Sequence, residues 1–235
     1  MQITTWNANG KFREKFQDIA RLESDIYIIQ ECEDPNHAKG EYKKWATNAA
    51  WIGKVKHKGL GIFARASIKL QRLEWIDNDI QSFLPVRINN QFNLIGVWTK
   101  HSKEHRYIGQ AWKYLQLHAE RMAVGPVVFC GDFNSNKIWD KPHRNWNHSD
   151  VVRELASINI ISLYHVKTGE EQGEESADTL YLQKNVEKPY HIDYAFCSRD
   201  LIDAKGILLN IGSHKDWLSL SDHMPVTFNI DSPPR

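Results

Sequence analysis

Polar and apolar residues alternate through QITTWNA (2–8), which predicts a first strand. The spacing then lengthens. Phe12, Phe16, Ile19 and Leu22 recur every three or four residues in FREKFQDIARLES, as one face of a helix requires. A second strand, DIYIIQE, ends on Glu31. GLGIFAR, FLPVRI and FNLIGVW follow in close succession, which predicts an antiparallel portion rather than repeated βαβ crossovers. Ile108, Trp112, Leu115, Ala119 and Met122 then mark a longer helix, and GPVVFCGD reads as a buried strand. Ser149 is placed to cap a short helix through DVVRELAS, and HIDYAFCS and MPVTFNI complete the strands. No repeat, low-complexity tract or linker interrupts the pattern, and the acidic segment 169–178 (GEEQGEESAD) is expected to be a disordered loop. Mixed strands with few helices point to an α/β sandwich, two sheets face to face with helices outside.

Composition narrows this picture. A chain of 235 residues is expected to form one domain, 1–235, around a single large core. No apolar run approaches the ~20 residues that span a bilayer, so no membrane insertion is expected. The chain opens as a strand, with neither the basic nor the apolar region of a leader. Cys32, Cys130 and Cys197 are an odd count without a CxxC pair, which predicts buried free thiols in a reducing, cytoplasmic compartment. The net charge of +1 carries no global signature of a nucleic-acid binder. Positive charge is nevertheless clustered at 11–15, 53–59, 100–106 and 137–144, against the acids of 169–178. A basic face would suit a polyanionic substrate; solvated loops account for any one cluster equally well.

Five apolar segments carry at or near one end a polar residue that a core does not need: Asn7 with Asn9, Glu31, Asp132 with Asn134, His191 with Asp193, and Asp222 with His223. Singly, such residues are ordinary turn formers. Asp193 stands out, because Ile192, Tyr194, Ala195 and Phe196 flank it and a buried carboxylate is costly unless paired. Together the carboxylates and amides supply hard oxygen donors without thiolates, the donor set of Mg²⁺ or Mn²⁺. Histidine with aspartate adds a proton-handling pair. The combination suits phosphodiester hydrolysis.

TWNANG, IIQECE, GLGIFAR, GDFNSN, HIDYAF and SDHMPV, in this order, resemble the endonuclease/exonuclease/phosphatase family that includes DNase I and exonuclease III. The resemblance runs from about residue 2 to 230. It implies a DNase I-like four-layer α/β sandwich of two mixed sheets with helices outside. It further implies Glu31 as principal metal ligand, with Asn7 and Asp222 beside it. Asp132 would orient or deprotonate the attacking water, Asn134 would hold a phosphate oxygen, and His223 would donate to the phosphate, oriented by Asp193. An Mg²⁺- or Mn²⁺-dependent nuclease acting on DNA or RNA is implied, as a monomer without an obligate protein partner. A phosphatase or phosphodiesterase for small or lipid phosphates is the alternative, and a fold-mate that has lost catalysis a third reading.

The pattern departs at one place. Where many relatives end a strand in a phosphate-touching His or Tyr, this chain has Trp98 and Thr99, which leaves His101, His105 and Tyr107 as candidates for the role. His191, two residues before Asp193, would share its strand face; a structural hydrogen bond is an equal account. Trp139 and Trp146 follow GDFNSN in a basic loop, a combination suited to base stacking.

Overall fold

A computed structural model describes residues 1–75, 80, 82–103, 105–202 and 206–231. In chain order the strands are β1 (Gln2–Asn7), β2 (Ile26–Cys32), β3 (Ala49–Val55), β4 (Lys58–Ala64), β5 (Leu70–Arg72), β6 (Phe83–Ile88), β7 (Phe92–Trp98), β8 (Val127–Asp132), β9 (Ile160–Ser162), β10 (Leu180–Tyr181), β11 (Pro189–Tyr190), β12 (Asp193–Ser198), β13 (Leu209–Ile211) and β14 (Val226–Asn229). The helices are α1 (Phe16–Ala20), α2 (Gly40–Trp45), α3 (Ile108–Ala123), α4 (His148–Ser157), α5 (Leu163–Thr168) and α6 (His214–Trp217).

Two six-stranded sheets form, ordered β13-β14-β1-β2-β4-β3 and β5-β6-β7-β8-β12-β9. Each is mixed: β1 pairs parallel to β2 and β7 parallel to β8, while β6–β7 and β2–β4 are antiparallel. Successive side chains of a strand face opposite ways. Val128 and Cys130 of β8 therefore enter the layer between the sheets, with Ile3, Ile28 and Ile62 of the other sheet. Val127 and Phe129 turn outward, against Tyr114 and Leu115 of α3 and Leu155 of α4. Both faces are covered, which is why VVFC is a continuous apolar run rather than an alternating one. On the far side Trp6, Phe12, Ile19 and Tyr42 pack the first sheet under α1 and α2. The result is the expected α/β sandwich, helix over sheet over sheet over helix. Among the described residues no helix is long and apolar enough to cross a membrane.

Three local expectations need correction. The first helix is broken: a 3₁₀ turn over Phe12–Glu14 precedes α1, and Lys15 leaves helical geometry between them. The Lys15 ammonium donates to the carbonyls of Ala8 and Gly10, at 2.6 and 2.9 Å, which ties the break to the preceding loop. α4 starts at His148, ahead of Ser149, and Asn147 caps it, with its N–H donating to Asp150 Oδ2 at 2.8 Å. The acidic segment is not a loose loop, because its acids have partners. Glu170 accepts from Tyr164 Oη at 2.5 Å, and Glu175 engages His165 and Asn136. The three cysteines are free and buried, as expected.

Candidate active site

The site is assembled at one end of both sheets by register. Trp98 of β7 lies beside Asp132 of β8, and Asp132 beside Asp193 of β12, so the three form a row across neighbouring strands about 4.8 Å apart. Gly131 precedes the carboxylate for a steric reason: its φ is 146°, and a Cβ there would collide with the Val97 carbonyl oxygen. Asp132 is fully buried. Its Oδ2 accepts from Asn7 Nδ2 and Asn134 Nδ2, both at 2.9 Å, and its Oδ1 from the Asn134 N–H at 2.8 Å. Burial lifts its pKa well above the ordinary carboxylate range, and Asp193 adds to the lift against the opposing pull of His223 and Asn7.

His223 is held from several sides. Its Nδ1 lies 2.9 Å from Asp193 Oδ2, its N–H donates to Ser221 Oγ, and its carbonyl accepts from Trp6 Nε1. Ser221 Oγ in turn donates to the Asn7 carbonyl, tying this loop to β1. Burial opposes a charged imidazole, but Asp193 and Asp132 outweigh it and hold the pKa up at about 10. The ring is clasped between two carboxylates that favour its charged form.

Glu31 lies at a bulge in β2 with φ 62°, which breaks the ladder between Gln30 and Cys32. Its Oε2 is 2.9 Å from Lys58 Nζ. Asp222 is half-buried, its backbone carbonyl accepting from the Tyr181 N–H at 2.8 Å. Asn9 is exposed at φ 51°, and its N–H donates to Asn7 Oδ1 at 3.0 Å. Among the described residues, Asp132, Asp193 and His223 bring ligand atoms within 4.8 Å of one another, and neither Glu31 nor Asp222 joins that set. Asp193 Oδ1 is buried without a hydrogen-bond partner. An orphaned carboxylate oxygen, together with a Glu31 carboxylate already neutralised by an ammonium, fits a divalent cation at this end of the sheets.

A cleft of about 690 Å³ opens beside Asn134. Trp139, Trp146, Tyr107, Tyr190, Arg144 and His101 are among the side chains lining it. Trp139 packs on Tyr190 with ring centroids 5.2 Å apart, and the Arg144 guanidinium lies 4.4 Å over Trp146. Tyr107 adopts φ 46° at the start of α3, a strained setting for an aromatic residue. His101 and Tyr107 therefore reach the cleft, whereas His105 lines a separate hollow with Trp112 and Gln116. Thr99 is fully buried, its hydroxyl bonded to the Phe133 carbonyl. His191 shows the structural account: it is buried, its Nδ1 2.6 Å from the Ala177 carbonyl and its ring against Tyr164.

The pattern of the chain did not expose Lys58, Lys100, Arg144, Tyr190 or Asn136 as site residues. GKVKHKG signalled positive charge, but only the β3–β4 hairpin, with Val55 opposite Lys58, brings that charge to Glu31.

A model of the endonuclease/exonuclease/phosphatase family matches residues 4–223. Against curated proteins no match reaches significance. Among solved structures, the 3′ phosphatase NExo from Neisseria bound to product DNA hairpin superposes with a TM-score of 0.72 at 16% identity, covering 98% of this chain and 99% of that one. The catalytic domain of Xenopus laevis APE2 gives 0.68 at 17% identity, with 100% and 93% covered. An AP endonuclease from Archaeoglobus fulgidus gives 0.67 at 15%, with 98% and 99% covered. At these identities the structures share the fold.

Proposed function

The chain belongs to the endonuclease/exonuclease/phosphatase family, and from that premise we propose that it is an Mg²⁺- or Mn²⁺-dependent nuclease that hydrolyses nucleic-acid phosphodiester bonds. One observation carries the reading: a buried Asp132, fixed by two amides, adjoins a His223 ring fixed by Asp193, and Asn134, which supplies one of those amides, lines a cleft of aromatic rings and cations. Solved relatives of this fold include one bound to a DNA hairpin, which supports a nucleic-acid substrate.

Asp132, its pKa raised by burial, is the group that orients and accepts a proton from water attacking the phosphorus. Asn7 and Asn134 keep its oxygens aimed, and the Asn134 amide borders the cleft where a phosphate oxygen would sit. His223 donates a hydrogen bond to the phosphate, and Asp193 fixes its orientation and charge. Glu31, with Asn7 and Asp222, would hold the divalent cation. When bound, that ion supplies neutralisation of the phosphate and of the leaving oxygen. Trp139, Trp146 and Tyr107 offer faces on which exposed bases stack.

The test is a panel of single-stranded, duplex and abasic-site oligonucleotides, an RNA and an inositol phosphate, incubated with Mg²⁺ or Mn²⁺. Cleavage of at least one nucleic acid, abolished by EDTA, is expected. Turnover of the inositol phosphate alone would replace this reading with a small-phosphate phosphatase.

A further inference from the structure

Trp98 occupies the place beside Asp132 where the family resemblance implies a phosphate-touching His or Tyr, and its indole carries no charge with which to hold an anion. Its surroundings do. Lys100 Nζ lies 3.8 Å from the centroid of the Trp98 ring and Lys58 Nζ 5.7 Å from it, so two ammonium groups share one indole. Lys58 also pairs with Glu31 at 2.9 Å, its side chain 47% exposed against 18% for the carboxylate. Lys54 is close enough to add its field. Lys54 and Lys58 thus crowd Lys100, with the Glu31 carboxylate offsetting them, at the end of the Trp98–Asp132–Asp193 row opposite His223. Such crowding is unfavourable by itself: burial first, then Lys54 and Lys58, lower the Lys100 pKa to about 8. A half-exposed ion pair holds Lys58 only weakly.

We propose that Lys58 and Lys100, set against the Trp98 ring, form a binding station for a nucleic-acid phosphate neighbouring the scissile one, and that Lys58 leaves Glu31 for that phosphate when a divalent cation takes the carboxylate. The inference rests on the nuclease reading above and adds a second phosphate to it. In the free chain Lys58 stands in for the cation at Glu31. Delivery of a dication there repels the ammonium, and the nearest relief is an anion between Lys58 and Lys100. Cation and substrate would therefore enter in linked fashion, each removing a charge conflict that the other creates.

Lys58→Gln and Lys100→Gln, checked for unchanged melting temperature, are assayed on whichever oligonucleotide the wild type cleaves. Each is expected to raise KM roughly tenfold, the low end for a hydrogen bond to a charged group, with kcat nearly unchanged. The log–log salt dependence should flatten by about 0.7 per lost contact on a single strand. Oligonucleotides carrying one neutral methylphosphonate, scanned along the strand, locate the contact. One position should raise the wild-type KM and leave those of Lys58→Gln and Lys100→Gln unchanged. Without nucleic acid, calorimetric titration should show Lys58→Gln binding Mn²⁺ severalfold more tightly than the wild type. Wild-type KM and salt slope in both variants, or no methylphosphonate position whose effect they abolish, overturns the station. Wild-type Mn²⁺ affinity in Lys58→Gln overturns the exchange. A wild type that cleaves no nucleic acid defeats the nuclease reading itself, and this inference with it.

Discussion

β12 separates two buried clusters of histidine and carboxylate that behave in opposite ways. Asp193 and Tyr194 are consecutive, so they face opposite sides of the strand. On the Asp193 side, His223 meets two carboxylates and is held charged, with a pKa near 10. On the Tyr194 side lie His148, His165, His191 and Glu175. There burial would raise the Glu175 pKa, but His165, Asn136 and the Gly173 N–H hold it down at about 2. That carboxylate is shared among several donors, and the remaining rings receive weaker partners. His148 Nε2 meets Gln172 Oε1 at 3.1 Å and His191 Nδ1 meets a carbonyl. Burial consequently pushes the His148 pKa down to about 4, and that of His191 down as well. Identical residue types yield a ring held charged on one side and, on the other, two rings that burial holds towards the neutral form, decided by how many carboxylate oxygens each ring commands.

The sharpest way to break this contrast is to remove a member of the first cluster. Asp132→Ala and His223→Ala should each lower kcat/KM by about a hundredfold to ten-thousandfold, the range for a positioned proton-transfer group, with the melting temperature kept. Loss of folding in place of loss of rate would show the first cluster to be scaffold too. The second cluster should speak through acid stability. A histidine depressed from about 6.5 to about 4 contributes stability that is fully present above pH 6.5 and lost as pH falls towards 4, about 3 kcal/mol in all. Denaturant unfolding between those pH values should show that slope in the wild type and a flatter one in His148→Gln; an equally steep slope in the variant would assign the loss elsewhere. Asn136 touches the second cluster while standing four residues beyond Asp132. Its Nδ2 lies 3.0 Å from Glu175 Oε2, 2.9 Å from the His191 carbonyl and 3.0 Å from Tyr194 Oη. Asn136→Ala should cost about 1–3 kcal/mol of stability, read by urea unfolding, and leave kcat close to wild type. A fall in kcat like that of Asp132→Ala would mean that the two clusters act as one.

What could be read in advance follows from range. The strand ends at Asn7, Asp132 and Asp193, and the α/β sandwich itself, are written in short-range periodicity, because each strand carries its own alternation or apolar run. Half-exposed or three-residue strands escaped: β3 has mostly exposed or half-buried side chains and a glycine at Gly53, and β5 and β9 are too short to show a period. The α4 cap was misplaced because Asn147 and Ser149 are both good capping residues, and the reach of Asp150 back to the Asn147 N–H settles the choice. Lys58 beside Glu31 depends on a hairpin, so no local pattern contains it, whereas Lys100 over Trp98 is a contact between residues two apart. The acidic segment was misread because its repulsion was visible and its partners, Tyr164, His165 and Asn136, were not.

The pairing of Trp98 with Asp132 and of Asp132 with Asp193 makes competence a matter of whole steps. Displacing β8 by one residue would set Gly131 or Phe133 opposite Asp193 and swing the carboxylate to the other side of the sheet. No halfway setting exists between those positions. A slipped β8 would therefore lose the carboxylate row outright instead of loosening it by degrees.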